Sequence, residues 1–133
     1  MTITASMVKE LRDRTGAGMM ECKKSLVEVN GDIDAAIELL RTSGQAKAEK
    51  KAARVAADGR IEIKSNNSNA AILEINSETD FVAKDENFIN FSNAIIELLT
   101  EQDVKDINEL SASSISDGKT VEQARTDLIA KVG

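Results

Sequence analysis

The sequence predicts an α+β protein, in which a head of three short helices precedes a small antiparallel sheet packed with helices. Three observations support this class. The 133 residues include no proline and are rich in residues that favour helices. The first third of the chain has apolar residues at helical spacing between glycine-bearing turns. The middle of the chain has two strand-like runs around an asparagine-rich turn.

The first two helices of the head are marked by their ends. Thr4 is a suitable N-cap for a helix from Ala5 to Asp13, which the glycine-bearing turn at residues 15–18 interrupts. A second helix, from about Met19 to Val29, should end at Asn30-Gly31, because this pair suits a left-handed C-terminal cap.

A third helix should begin after Asp32, which is again a good N-cap. Its apolar residues recur at helical spacing and predict one buried stripe, made of Ile33, Ala36, Ile37 and Leu40. Gly44 is expected to end this helix. These patterns predict a compact three-helix head of about 40 residues. For the whole chain we expect a head at residues 1–45, a linker at 46–60 and a body at 61–133.

The segment from Gln45 to Asp58 is rich in alanine and lysine and has no broad apolar stripe, so it predicts an exposed helical linker. Its cations are a candidate nucleic-acid site, namely Lys47, Lys50, Lys51 and Arg54. The chain has no Trp or Tyr to stack on bases and its net charge is −6. A solvated linker is therefore favoured over nucleic-acid binding.

The body begins with a predicted hairpin. Residues 61–64 alternate as a half-buried strand does, and residues 70–75 form a more apolar strand after the turn at 66–69. A helix from Asp85 to Leu99 should cover this hairpin. Its apolar side is Phe88, Phe91 or Ser92, Ile95, Leu98 and Leu99. A last helix is predicted over residues 121–132.

Composition favours a binding function over a catalytic one. The chain has no histidine and a single cysteine, Cys22, so histidine-based triads and ordinary zinc sites are excluded. It also lacks a phosphate-binding P-loop motif. We therefore expect no enzyme activity, no cofactor and no bound metal. The lone cysteine, and the lack of a signal pattern or a long apolar stretch, predict a soluble cytoplasmic protein without membrane contact.

Phe81 is the most informative candidate residue, because only three residues of the chain are phenylalanine. If one helix ran on from Thr79, Phe81 and Phe88 would lie on the same face and both would be core residues. Asp85, however, is a good second N-cap, so residues 79–84 can instead form a separate turn that holds Phe81 out for a partner. Spacing alone leaves both interpretations open.

Three sequence segments closely resemble the elongation factor Ts family of bacteria. The first is VKELR at residues 8–12 with RTGAGMMECKKSL at 14–26, the second is GDIDAAI at 31–37, and the third is TDFVAK at 79–84. The resemblance implies a ubiquitin-associated-like three-helix domain at residues 1–45 and the first subdomain of the family's core at residues 61–133. The family continues beyond the position of Gly133, so we expect an N-terminal fragment or a short member.

The resemblance also implies a function, which is guanine nucleotide exchange on elongation factor Tu during translation. It implies that Thr79, Asp80, Phe81 and Val82 displace the partner's magnesium site. It further implies a docking surface on the head, made of Lys9, Arg12, Met19, Met20 and Lys23. The chain itself would contact neither nucleotide nor nucleic acid. The alternative is a ubiquitin-associated-like interaction module without exchange activity.

Overall fold

The computed structural model describes residues 2–116 and 118–133 and confirms the α+β class. The chain divides into two compact units. The first contains the residues up to Ala52 with Ile129–Lys131 and Gly133, and the second contains Ala53–Leu128 with Val132. The division into functional domains at residues 45 and 60 stays a prediction.

The first unit is built on three mutually packed helices, α1 (Ala5–Thr15), α2 (Met19–Glu28) and α3 (Ile33–Lys51). The predicted caps are confirmed. Met7 N donates to the Thr4 hydroxyl, and Ala35 N donates to the Asp32 carboxylate. Both residues of the Asn30-Gly31 pair have positive φ. The core of the unit is formed by buried side chains from all three helices, among them Val8, Leu11, Cys22, Leu26, Ala36 and Leu40.

The prediction that Gly44 ends the third helix is wrong, because α3 continues to Lys51. Leu40, Gly44 and Ala48 are buried at intervals of four residues, so they lie on one face. A Cβ at Gly44 would lie 3.3 Å from the Ala130 Cβ, which shows how closely another segment approaches the helix there. The predicted exposed helical linker is therefore partly the end of α3, and residues 55–57 are not helical.

The second unit contains the predicted hairpin, with β1 (Asp58–Ser65) antiparallel to β2 (Ala70–Ser77). Asn66 shapes the turn, because its side-chain Oδ1 accepts hydrogen bonds from the backbone N–H groups of Ser68 and Asn69. Ile63 is paired with Ile72 in the register of the two strands.

The alternation in β1 predicts a strand with its isoleucines on the buried side, and this expectation is wrong. Ile61 and Ile63 are exposed, as is Ile72 on β2, whereas the intervening Glu62 is half-buried. Glu62 is tolerated there because the Arg60 guanidinium lies 2.9 Å from its carboxylate. The strand period was therefore correct, but its apolar residues lie on the outer face.

The inner face of the hairpin packs against α5 (Glu86–Glu101), as predicted. Leu73 of β2 shares a core with Ile95, Ile96 and Leu98 of this helix. Ser92 is fully buried and donates a hydrogen bond to the Phe88 carbonyl, while Phe91 is only partly buried. The single turn α4 (Asp80–Ala83) lies between β2 and α5.

The remainder of the described chain contains α6 (Ile107–Ala112), β3 (Ser114–Ser116), β4 (Lys119–Thr120) and α7 (Val121–Val132). The bounds of α7 agree with the prediction, whereas α6, β3 and β4 were not predicted. Among the described helices, none combines the length and apolarity that crossing a membrane requires.

Candidate partner-binding surfaces

The first candidate surface is the turn between β2 and α5, and the chain fixes it at both ends. At its start, Val82 N donates to the Thr79 hydroxyl, and the Ser77 hydroxyl donates to the Thr79 carbonyl at 2.7 Å. At its end, Asp85 N donates to the Val82 carbonyl at 3.0 Å. The Asp85 carboxylate then accepts from Asn87 N and so begins α5.

These two caps separate α4 from α5, and the separation decides the environment of Phe81. The Phe81 side chain is 83% exposed, whereas Phe88 is 4% exposed. Of the two interpretations that spacing left open, the projecting turn is the one the structure supports. The turn is anchored by Ala83, which is buried with Phe88 and Leu128, and by the partly buried Val82.

Asp80 lies beside Phe81 and is also exposed. Its carboxylate is 3.7 Å from the Lys84 ammonium, a pair of exposed groups that contributes little to stability. The turn therefore presents an aromatic ring and a carboxylate together, on a backbone held by hydrogen bonds at both ends. Because the turn is already ordered, binding a partner through it would not require the entropy cost of ordering a loop.

The second candidate surface lies on the first unit. All five predicted docking residues are exposed, with Lys9 and Arg12 three residues apart on α1 and Met19, Met20 and Lys23 on α2. The opposite sides of the two helices are buried through Val8 and Leu11 on α1, and through Cys22 and Leu26 on α2.

The turn between α1 and α2 fixes the start of the methionine-bearing helix. Gly16 has φ +70°, and its N–H closes α1 by donating to the Arg12 carbonyl at 2.7 Å. Ala17 is buried, and its carbonyl accepts a weak hydrogen bond from the Cys22 thiol at 3.7 Å. Burial raises the pKa of the Cys22 thiol.

Two further residues of α2, Lys24 and Val27, are exposed and were not among the predicted docking residues. They line an open depression of about 450 Å³ together with Met20, Lys23 and Glu28. The available signal was spacing, because Val27 follows Met20 by seven residues and so lies on the same side of the helix.

Two cations of the candidate nucleic-acid segment contact carboxylates of the chain itself. Lys47 on α3 forms an ion pair with Glu21 on α2, and Arg54 lies 3.5 Å from Glu78. In the described residues, no group of three or more His, Cys, Asp or Glu side chains has a geometry that could hold a metal ion.

Comparisons with known proteins agree with the resemblance noted in the sequence. The family model of elongation factor Ts matches residues 78–133. Over the full chain, the sequence is 58% identical to elongation factor Ts of Thioalkalivibrio sulfidiphilus and covers 46% of that protein. It is 56% identical to the factor of Idiomarina loihiensis, covering 45% of it, and 57% identical to that of Xanthomonas campestris, covering 46%. The chain thus spans about half the length of the curated relatives it matches.

Proposed function

We propose, from the chain's similarity to elongation factor Ts proteins, that it binds elongation factor Tu and promotes the release of GDP during translation. It would act by binding, without an enzymatic reaction or a cofactor, in the cytoplasm. The observation that carries the proposal is the exposure of Phe81, at 83%, on a turn whose backbone is fixed at both ends.

In the proposed mechanism, Phe81 and Asp80 insert into the nucleotide-binding domain of the partner and displace its magnesium site, with Thr79 and Val82 shaping the turn. Bound magnesium neutralises oxygens of the nucleotide phosphates. Its removal leaves a poorly compensated polyanion, so the affinity for GDP falls. By thermodynamic linkage, GDP must then weaken the binding of this chain by the same factor.

The burial of one side chain indicates how large the change in GDP affinity can be. Fully burying a phenylalanine contributes about 1.5–3 kcal/mol, and most of the Phe81 surface is still available for burial. That free energy corresponds to roughly a ten- to hundredfold change in an equilibrium constant. A rigid aromatic turn is therefore sufficient for a substantial part of the coupling.

The head would supply a separate docking contact. We propose that residues 1–45 act as a ubiquitin-associated-like domain and that Lys9, Arg12, Met19, Met20 and Lys23 contact the same partner. Exposed methionines adapt to the shape of an apolar surface, and cations favour encounter with an acidic one.

The direct test measures the release of a fluorescent GDP analogue from elongation factor Tu, with and without this chain. We expect faster release that saturates with the concentration of the chain. Excess magnesium should reduce the acceleration, because the metal and the inserted turn are proposed to exclude each other. A rate of GDP release equal to that without the chain, over the whole concentration range, would contradict the proposal.

A further inference from the structure

A buried hydroxyl group lies at the end of β2, on the face of the hairpin that packs inward. Residues 73, 75 and 77 alternate onto this face, where Leu73 is buried and Ile75 is partly buried. The next position on the face holds a serine, Ser77, which is also buried. A buried hydroxyl costs stability unless it forms a hydrogen bond, so its partner indicates what the residue does.

The partner of Ser77 is the backbone just before Phe81. The Ser77 hydroxyl donates to the Thr79 carbonyl at 2.7 Å. The same carbonyl accepts from Ala83 N at 3.3 Å, and the Thr79 hydroxyl accepts from Val82 N, also at 3.3 Å. Both bonds within the turn are longer than the usual N–H···O distance. The bond from Ser77 is therefore the shortest of the three that hold Thr79.

Thr79 sets the direction in which the chain leaves the sheet. Its backbone is extended, with φ −133° and ψ 158°, and α4 begins at the next residue. A rotation of the peptide between Thr79 and Asp80 would redirect α4 and the Phe81 side chain with it. Because α4 has only four residues, its own hydrogen bonds do not suffice to fix it. Ser77 is itself held by pairing with Asp58, so its hydroxyl attaches the turn to the sheet.

We infer that Ser77 is a positioning residue for nucleotide exchange, whose hydroxyl holds the Thr79 carbonyl and so keeps Phe81 and Asp80 in the orientation that the partner binds. This inference rests on the proposed function. Ser77 is buried and acts through the turn rather than by touching the partner. Without its hydrogen bond, only a fraction of the chains would present the aromatic ring correctly, and apparent affinity would fall by that fraction.

Ser92→Ala is the matched control for Ser77→Ala. Ser92 is fully buried in the same unit, and its hydroxyl likewise donates to a backbone carbonyl, that of Phe88, at 2.9 Å. Both substitutions remove one buried hydroxyl and its hydrogen bond. They differ in that only Ser77 is bonded to the turn that carries Phe81.

The first measurement uses the free chain and does not depend on any partner. Backbone ¹⁵N relaxation, including relaxation dispersion, reports the motion of residues 80–83. A rigid backbone has an order parameter of about 0.85, and we expect Ser77→Ala to fall towards about 0.6 there or to show new exchange broadening. Ser92→Ala should keep the wild-type values at these residues. Wild-type relaxation of the turn in Ser77→Ala would overturn the inference.

The second measurement is the acceleration of GDP release from elongation factor Tu, below the melting midpoints of all variants. A hydrogen bond contributes about two- to tenfold to an equilibrium constant. Ser77→Ala should therefore lower the ratio of maximal acceleration to half-saturating concentration by about two- to tenfold, while Ser92→Ala keeps the wild-type ratio. A wild-type ratio in Ser77→Ala would overturn the inference alone. A wild-type chain that does not accelerate release would overturn the proposed function and this inference with it.

A double-mutant cycle separates positioning from a general structural effect. In a Phe81→Ala background, Ser77→Ala should lower the remaining acceleration by less than about twofold, because the ring that it positions is gone. An equal fold-decrease in both backgrounds would show that Ser77 does not act through Phe81, and would overturn the inference.

Discussion

The turn α4 and the helix α5 each carry a phenylalanine, seven residues apart, and place it in opposite environments. Phe88 is in the core with Ala83 and Leu128, whereas Phe81 projects into solvent. In one continuous helix the two rings would lie on the same side. The difference shows that a single capping residue, Asp85, separates a structural aromatic from one available to a partner.

Apolar character does not distinguish the two residues; backbone direction does. Asp85 has φ −64° and ψ 138°, which is extended rather than helical, so the chain changes direction before α5 begins. The turn is still attached to the core through Ala83 and Val82. The exposed ring is therefore held in place by a well-packed neighbour, which is the arrangement expected of a binding residue on a rigid scaffold.

The largest expected effect is the difference in stability loss between alanine substitutions of the two phenylalanines. Phe88→Ala should lower the free energy of unfolding by about 3–5 kcal/mol, because it leaves a cavity among buried side chains. Phe81→Ala should change it by less than about 0.5 kcal/mol, as exposed substitutions usually do. Chemical denaturation of both variants measures the contrast. Equal losses of stability would show that Phe81 is also part of the core.

A smaller effect should follow from removing the cap between the two regions. Asp85→Ala should cost about 1 kcal/mol of stability through the loss of its hydrogen bond to Asn87 N. Asp106→Ala is the matched control, since Asp106 caps α6 in the same way by accepting from Glu109 N. Differential scanning calorimetry should show similar losses for both variants.

Only Asp85→Ala should also impair GDP release from elongation factor Tu, because it loosens the turn that carries Phe81. An equal decrease in release for both variants would indicate that general destabilisation, rather than the orientation of the turn, limits exchange.

The smallest effect concerns α7, whose Leu128 packs with Phe88. Two hydrogen bonds from the Arg125 guanidinium lower the pKa of the Glu122 carboxyl. The pair with Arg125 therefore stabilises the fold fully above the pKa that the Glu122 carboxyl has in the unfolded chain. This contribution is lost as pH falls through the lower pKa that the carboxyl has in the folded chain. Both side chains are about half exposed, so we expect about 0.5 kcal/mol or less.

Urea denaturation at several pH values checks this expectation. The stability difference between the wild type and Glu122→Gln should be largest near neutral pH and disappear in strong acid. Phe81 is not part of the core cluster in which Leu128 of α7 packs with Phe88. Phe81→Ala should therefore leave the pH dependence of stability unchanged. A difference that grows as pH falls would contradict the assignment.

Much of the fold could be predicted because its signals are local. The caps at Thr4, Asp32 and Asp85 and the left-handed turn at Asn30-Gly31 depend on residues within one helical turn. The bounds of α7 were predicted from the spacing of its apolar residues. Such features need no information about distant parts of the chain.

The errors occurred where distant contacts decide the structure. Gly44 lies within α3, buried and closely approached by Ala130, a residue far away in sequence. The alternation at Ile61 and Ile63 fixes the period of β1 but not the side that faces α5, where Glu62 lies paired with Arg60. Short segments such as α6 have too few residues to give a clear period.

The candidate sites show the same division between local and distant information. Spacing left open whether Phe81 is buried or exposed. The structure decides for exposure, because Asp85 begins a new helix. Val27 could have been noticed from its interval to Met20, but the sequence did not reveal which side of α2 packs inward. The function assigned to Phe81 came from the family resemblance.

The most direct test of the central claim is the rate of GDP release from elongation factor Tu in the presence of Phe81→Ala. Ile107→Ala is the control, because Ile107 is another exposed large apolar residue of the same unit. We predict that Phe81→Ala lowers the acceleration by roughly tenfold or more at an unchanged melting midpoint, while Ile107→Ala keeps the wild-type rate. A Phe81→Ala chain that accelerates GDP release as the wild type does would contradict the account.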